Sequence, residues 1–248
     1  MDSRERVIVA LEHKEPDRVP LDLGTAVSTM TVQAYTALKD HLGLTWVGEG
    51  VNKQWMLMTT LDERILKKFH IDVRGIGLSG PPPIEYPHGT FRDEWGLPWK
   101  AKGVHNWIAQ HPLKGMENVD QIDEYQWPDL SIDRTKGLEK KVRELEDSGW
   151  AVIASSPYGG ILETAQWLRS YEKVAIDMFA HQDILDALLD KILEIQIELY
   201  RQLLDVAGDH IQICQTCDDL GWQHGPIMSP NSYRRFLKPR HKKLFDFI

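Results

Sequence analysis

The most regular pattern along the chain lies between residues 183 and 207, where Leu185, Leu188, Leu189, Ile192, Ile195, Leu199, Leu203 and Val206 recur at steps of three and four. That spacing lays an apolar stripe down one face of a long helix and leaves Glu194 and Glu198 on other faces. Gly208 is a natural residue to follow its end. The pattern then changes: the β-branched run Ile211-Gln212-Ile213 reads as a strand that stops at two adjacent acids, Asp218 and Asp219. Ser229-Pro230 announces a further helix. Continuous apolar runs at 71–78 and 150–155 read as buried strands, and 19–24 reads the same way with a polar tip. Asp2 and Glu5 have capping-box spacing ahead of Val7, Ile8, Val9 and Leu11, which predicts a short helix closed by Pro16. Helices are also expected near 30–42, 52–69, 134–148, 158–168 and 171–180.

Between 84 and 115 the periodicity fails. Gly89, Gly96, Pro98 and Gly103 break the chain into short segments carrying Tyr86, Phe91, Trp95, Trp99 and Trp107, a texture of short hairpins. Aromatics at strand spacing serve packing more often than ligand binding. Outside this insert, strands alternate with helices, and continuous apolar strands imply parallel pairing with right-handed crossovers. A doubly wound sheet and a (β/α)8 barrel both satisfy that pattern. No glycine-rich phosphate loop follows any strand, and Gly159-Gly160 lacks the G-x-G-x-x-G spacing. Only four clear strands can be counted, so a barrel built from this chain is expected to be open. Leu244, Phe245, Phe247 and Ile248 are still apolar where the sequence stops, with no Gly or Asn cap and no Pro stop. The pattern therefore reads as an α/β chain with an irregular, hairpin-rich insert, with a doubly wound sheet and an open (β/α)8 barrel both still possible.

Composition changes this picture little. At 248 residues, 42% apolar and 27% charged, the chain is globular, and its net charge of −8 argues against a nucleic-acid partner. Lys238, Arg240, Lys242 and Lys243 read as a solvated helix face. The first residues are charged from Asp2 onward, and no apolar run approaches the ~20 residues a membrane span requires. Two cysteines do not make a disulfide framework, which suits a reducing cytoplasm.

The chemistry concentrates at strand ends. Adjacent acids at the C-terminal end of a barrel strand sit where substrate is bound, a ligand oriented or a proton carried, so Asp218 and Asp219 are the candidate catalytic residues. The alternative is that one caps the following loop and the other is solvated. Asp22 occupies an equivalent position after the first strand. Tyr158 and Glu163 border the loop after 150–155, while Gln223 and His224 lie beside the acids. All five are candidate substrate contacts. Cys214-x-x-Cys217 has zinc-like spacing, with His210 and His224 near in sequence. Cys214 alternates with apolar Ile213, however, and a second pair is lacking, so no metal ligand is assigned.

Several blocks together carry a resemblance. These are SRERVIVALEHKEPDRVPLDLG at the start, the entry to the strand at 69–73, Asp93-Glu94-Trp95-Gly96 and His111-Pro112-Leu113. They continue with GGILETAQWLRSYE and end in DDLGWQHGPIMSPNSYRRFLKPRHKKLF. In that order they resemble the uroporphyrinogen decarboxylase superfamily, which includes cobalamin-dependent methyltransferases. The likeness implies an α/β fold of (β/α)8 TIM-barrel type, one barrel domain over 1–248 present as an incomplete N-terminal portion. It departs from the decarboxylases in three places. Asp22-Leu23-Gly24-Thr25 stands where they carry an arginine-rich clamp, their strand-2 aspartate falls near Ser79, and their active-site tyrosine near Ala165. What remains resembles the methyltransferase branch. That branch implies transfer of a methyl group between a corrinoid protein and a thiol or a methoxy- or methylamine-type substrate. Zinc, bound by a His-x-Cys motif and a later Cys, is implied only for a longer form. The alternatives are uroporphyrinogen decarboxylation and a non-catalytic ligand- or partner-binding chain. Homo-oligomerisation through an exposed strand edge is a further expectation.

Overall fold

The computed structural model of the chain describes residues 1–25, 27–44, 51–52, 58–102 and 105–248. Helix α1 (Ser3–Leu11) opens on the expected capping box. Asp2 accepts the Glu5 amide at 2.8 Å, and the Glu5 carboxylate accepts the Asp2 amide at 3.0 Å. After α2 (Val32–His41) come two short antiparallel strands, β1 (Val51–Asn52) and β2 (Met58–Thr59), then α3 (Glu63–Lys68) and β3 (Val73–Ile76). The helix expected over 52–69 is thus reduced to its last part. Asp62 starts it there by accepting the Arg64 amide at 2.8 Å, and residues 53–57 lie outside the described residues.

The strand expected at 19–24 is not one. Pro20 has no amide, and the amides of Leu21 and Gly24 are taken by the carboxylates of Asp72 and Asp22, each at 2.9 Å. What survives are two ladder-like bonds to β3, from the Asp72 amide to the Leu21 carbonyl at 2.9 Å and from the Gly75 amide to the Gly24 carbonyl at 3.0 Å. Gly24 permits that approach: a Cβ there would stand 2.5 Å from the Val73 carbonyl oxygen.

The insert forms the short hairpins its texture predicted, joined into a four-stranded antiparallel meander: β4 (Ile84–Tyr86), β5 (Thr90–Arg92), β6 (Pro98–Lys102) and β7 (His105–Ile108), each paired with the next. Two helices follow, α4 (Asp120–Asp123) and α5 (Leu138–Asp147), then β8 (Ala151–Ala154). Three consecutive helices, α6 (Ile161–Arg169), α7 (Tyr171–Ala180) and α8 (Gln182–Ala207), lead to β9 (Ile213–Cys214). Gly208 does not take a left-handed cap; it stays helical at φ −54° and passes into a single tight turn before β9.

Strands β3, β8 and β9 form a parallel sheet in that order, with β8 central. Its register and the two-residue repeat of a strand put Val73, Gly75, Ala151, Ile153 and Ile213 on one face, and Arg74, Ile76, Val152, Ala154 and Cys214 on the other. On the second face Val152 and Ala154 join Leu138 and Val142 of α5 and the α8 stripe in the larger core. On the first, Val73, Ala151 and Ile153 join Val7, Tyr35, Ile65 and Leu66. The fold is therefore mixed α/β around a parallel sheet.

At the N-terminal end of β3, Asp72 is fully buried. Its carboxylate accepts bonds from Arg6 at 2.6 Å, Arg18 at 2.7 and 2.8 Å, Ser3 Oγ at 2.9 Å and the Leu21 amide. Arg6 is also held by Asp17, at 2.6 and 2.9 Å. This knot fastens α1 and the 17–21 segment to the sheet.

The C-terminal region is a hairpin, β10 (Gly221–Trp222) with β11 (Gly225–Pro226), then α9 (Pro230–Ser232), a π-turn over Tyr233–Leu237 and α10 (Lys238–Phe247). Pro239 lacks the amide that would close an α-helical bond onto the Arg235 carbonyl, and the helix widens just before it. The basic cluster here is not wholly solvated. Lys238, Lys242 and Lys243 are exposed, but Arg240 is buried, bonded to Asp190 and Asp186 at 2.8 and 3.0 Å and to the Phe236 carbonyl at 2.6 Å. Those contacts dock α10 on α8. Among the described residues, no helix is long and apolar enough to cross a membrane.

Candidate functional site

The C-terminal ends of β3, β8 and β9 come together, as the ends of parallel strands must. The loops that leave them (77–80, 155–160 and 215–219) form one rim. Beside it opens a cavity of about 470 Å³ whose lining includes Gly24, Thr25, Gly77, Ser155 and Ser156, with Glu63, Arg74, Glu94 and Lys141 as its charged members. None of the four charged side chains is idle. Arg74 donates to Glu63 at 2.8 and 2.9 Å and to the carbonyls of Ile71 and Val73, both at 2.8 Å, and its guanidinium lies 3.8 Å from the Trp150 ring centre. Lys141 donates to the Gly75 carbonyl at 3.2 Å, and burial lowers the pKa of its ammonium. Glu94 pairs with buried Arg134; burial nevertheless raises its carboxyl above the usual range.

Tyr158, on the β8 loop, is also part of that lining and reaches toward the insert. Its ring stacks on Trp95 at 4.7 Å and meets Trp167 edge-on at 5.6 Å, and its hydroxyl donates to Asp93 at 2.6 Å. Asp93 also accepts from the Trp99 indole at 2.8 Å and from the amides of Trp95 and Leu97 at 3.0 Å. Burial pushes the Asp93 carboxyl up against these four donors, and it pushes the Tyr158 hydroxyl well up. The pair rivets the meander to the sheet, so the ring and hydroxyl of Tyr158 are occupied by packing.

Asp218 and Glu163 meet across the rim. Gly160 caps α6, and Glu163 reaches back to its amide at 3.2 Å. From the β9 loop, the Asp218 carboxylate accepts the amides of Leu162 at 3.0 Å and Glu163 at 2.9 Å, and faces His241 Nε2 at 3.0 Å. An anion at a helix N-terminus is favourable, and here it binds two otherwise orphaned amides. Burial raises the Glu163 carboxyl to about 7, and the nearby charges of Asp219 and Asp218 add to the effect. Asp219 is exposed. Cys217 joins this group, its thiol 3.4 Å from the Tyr158 carbonyl; burial pushes that thiol up to about 11 and the three carboxylates reinforce it. Burial also raises Cys214 to about 11.

The structure thus brings together Glu163, Asp218 and Asp219. Tyr158, on the same loop, lines the neighbouring cavity while its hydroxyl is held by Asp93. Asp22 is exposed and closes a turn onto the Gly24 amide, while Gln223 and His224 form the exposed turn of the β10–β11 hairpin, His224 against Trp222 at 4.9 Å. Two residues escaped the sequence reading. Gln215, at the end of β9, keeps a buried side-chain oxygen without a partner among the described residues. His241 stood inside a basic run that looked solvated, and only its three-dimensional pairing with Asp218 sets it apart.

One consequence is steric. A Cβ at Gly160 would stand 2.2 Å from the Cys217 carbonyl oxygen and 2.4 Å from Asp218 Cγ, so one of the two loops has to shift. Gly160→Ala is expected to cost about 1–3 kcal/mol and to lower activity, read by urea unfolding and steady-state rates. A variant with both values unchanged would mean that the loops are not in contact.

Acids and a cavity gathered at the C-terminal ends of a parallel sheet lie where β/α folds carry their binding loops. The chain belongs to the uroporphyrinogen decarboxylase (URO-D) family, whose model matches residues 103–248. Among solved structures it is similar to a methyltransferase from Methanosarcina mazei, with a TM-score of 0.59 at 17% identity, over 100% of this chain and 67% of the other. That likeness concerns the fold. Comparison with curated proteins finds no match.

Proposed function

We propose that the protein is a methyl-transfer enzyme of the URO-D family, with 1–248 forming part of a single (β/α)8 barrel that takes a small substrate at the rim of β3, β8 and β9. One observation carries the choice over porphyrinogen decarboxylation: both cations in the cavity lining, Arg74 and Lys141, are already engaged by protein groups. A polycarboxylate substrate requires free guanidinium or ammonium groups to pair with it. A small substrate of low charge does not. The fold-level likeness to a methyltransferase supports the same reading. In it, a methyl group passes between a corrinoid carried by a partner protein and a thiol or a methoxy- or methylamine-type compound. Glu163 accepts the proton that a thiol sheds as its sulfur takes the methyl group, and Asp219 faces the substrate. Asp22, Gln223 and His224 are outer contacts, reached only by a larger substrate or partner.

The described residues do not fit the zinc thiolate that the resemblance implies. No three His, Cys, Asp or Glu residues among them are grouped to hold a metal, and burial disfavours ionisation of both thiols. No step here passes through zinc. Purified, chelator-washed chain is expected to hold well under one zinc per chain by elemental analysis. One tightly held zinc, lost on Cys217→Ser, would move the metal to the Cys214–Cys217 loop.

The functional test is a paired assay. Methylcob(III)alamin with a thiol acceptor is expected to be demethylated, read from the loss of its visible absorbance, while uroporphyrinogen releases no carbon dioxide. Carbon dioxide release without demethylation would establish the decarboxylase reading, and inactivity in both would favour a binding role. The edge of β9 away from β8, which pairs with no strand among the described residues, is the surface proposed for self-association, which light scattering across a concentration series reads directly.

A further inference from the structure

We infer that Asp218 is a positioning residue, through which the C-terminal helix sets the first turn of α6 and so the place of Glu163. The inference rests on the proposed role of Glu163, and its structural part stands by itself.

The geometry is a chain of three side chains. A carboxylate only accepts hydrogen bonds, so His241 Nε2 carries the proton that it donates to Asp218 at 3.0 Å. In the neutral ring Nδ1 is then the acceptor, and the Tyr233 hydroxyl, 3.4 Å away, donates to it. Both His241 and the Asp218 side chain are more than nine-tenths buried. His241 also stacks on Phe245 at 5.7 Å, which fixes its ring plane. At its other end Asp218 holds the Leu162 and Glu163 amides, so all the strong contacts of this carboxylate are to protein. A group so engaged has little capacity left for a substrate. Its exposed neighbour Asp219 has more.

The π-turn supplies the alignment. Residues eight apart on an α-helix differ by roughly 80° in direction at 100° per residue. The π-turn at Tyr233–Leu237 widens the helix by about one residue, so Tyr233 and His241 behave as a pair seven apart, within roughly 20° of one face. The widening that Pro239 imposes therefore brings Tyr233 over His241, and His241 onto Asp218. This tie joins α10, the β9 loop and α6 across the rim. The position of Glu163 depends on all three.

Amide hydrogen exchange on the 248-residue chain tests this without substrate. Asp218→Asn removes one of the acceptor oxygens, and exchange at Leu162 and Glu163 is expected to rise about tenfold, the scale of a lost helix cap. His241→Gln and Tyr233→Phe, which leave Asp218 in place, should raise it by successively smaller factors. Amides in the middle of α8 should be unaffected in all three. With activity as the second readout, Asp218→Asn should lower kcat with KM little changed, and His241→Gln should follow it in the same direction. Unchanged exchange at Leu162 and Glu163 would overturn the inference. So would loss of activity in Asp218→Asn alone with exchange unaltered, since that pattern belongs to a residue touching substrate. Should the methyl-transfer reading fail, the exchange result still decides whether the tie exists.

Discussion

Asp72→Ala is expected to cost about 3–5 kcal/mol of stability, the scale found when one partner of a buried ion pair is removed. The carboxylate is fully buried and gathers Arg6, Arg18, Ser3 Oγ and the Leu21 amide. Arg6 is itself buried, so alanine leaves its guanidinium with Asp17 and the Met1 carbonyl but without its buried carboxylate partner, and frees the segment that runs beside β3. Urea unfolding at pH 7 measures the loss as a fall in midpoint at constant slope. A cost under ~1 kcal/mol would mean that water replaces the carboxylate and the knot is not a fastening. Acid offers an independent check. Burial alone pushes the Asp72 carboxyl up, but bonds from Arg18, the Leu21 amide, Ser3 and Arg6 outweigh it and hold the group below its usual range. A carboxyl depressed in the folded state stabilises above its unfolded pKa, near ~3.9, and that contribution fades as pH falls through the folded value. The gap between wild type and Asp72→Ala should therefore narrow below about pH 4.

Glu163→Gln should separate stability from activity. As the proton acceptor, Glu163 must be ionised, so kcat/KM should rise with pH through about 7, where burial has placed its carboxyl. The glutamine variant should lose that limb and about 10²–10⁴ in rate. Stability should move the other way. A carboxyl raised in the folded state contributes stability below its unfolded pKa and loses it as pH rises through the folded one. Wild type at pH 8 thus carries a half-buried charge beside Asp218 and Asp219, which glutamine removes while keeping an oxygen for the Gly160 amide. A gain on the order of 2 kcal/mol at pH 8, absent at pH 4, is expected from thermal unfolding. A flat pH-rate profile in wild type would remove Glu163 from the chemistry, whatever its effect on stability.

What the sequence disclosed depended on how local the cause was. The α8 stripe, the capping box of Asp2 and Glu5 and the hairpin texture near Trp95 and Trp99 are each written within a few residues, and each appears in the fold. Residues 19–24 looked like strand because their side chains do. Their failure is a backbone matter, since Asp72, about fifty positions away, takes the Leu21 amide. The acids at 218 and 219 were legible as a rim feature, but not the division between them. That division depends on which one meets the α6 amides and His241, and no spacing encodes it. Tyr158 was legible as a rim residue but its anchorage was not, since its partner Asp93 lies in the insert, sixty-five positions earlier.

The meander bears on how the molecule reaches this state. Strands β3 and β8 are partners in the central sheet, yet residues 77–150 separate them. Closing so long a loop from a disordered chain is slow, because non-local pairing has to wait on chain entropy. Strands β4 to β7 each pair only with their sequence neighbours, and hairpins of that kind form in microseconds. Once folded, the meander draws Ile84 and Ile108 to opposite edges of one small sheet and leaves far less free chain to close. Asp93 and Trp99 then offer the surface on which Tyr158 and Trp167 settle, bringing β8 and α6 with them. The insert is therefore expected to act as a folding scaffold for the sheet it interrupts: Trp99→Ala should slow folding more than it speeds unfolding in stopped-flow urea kinetics, and an effect confined to the unfolding rate would sink the idea.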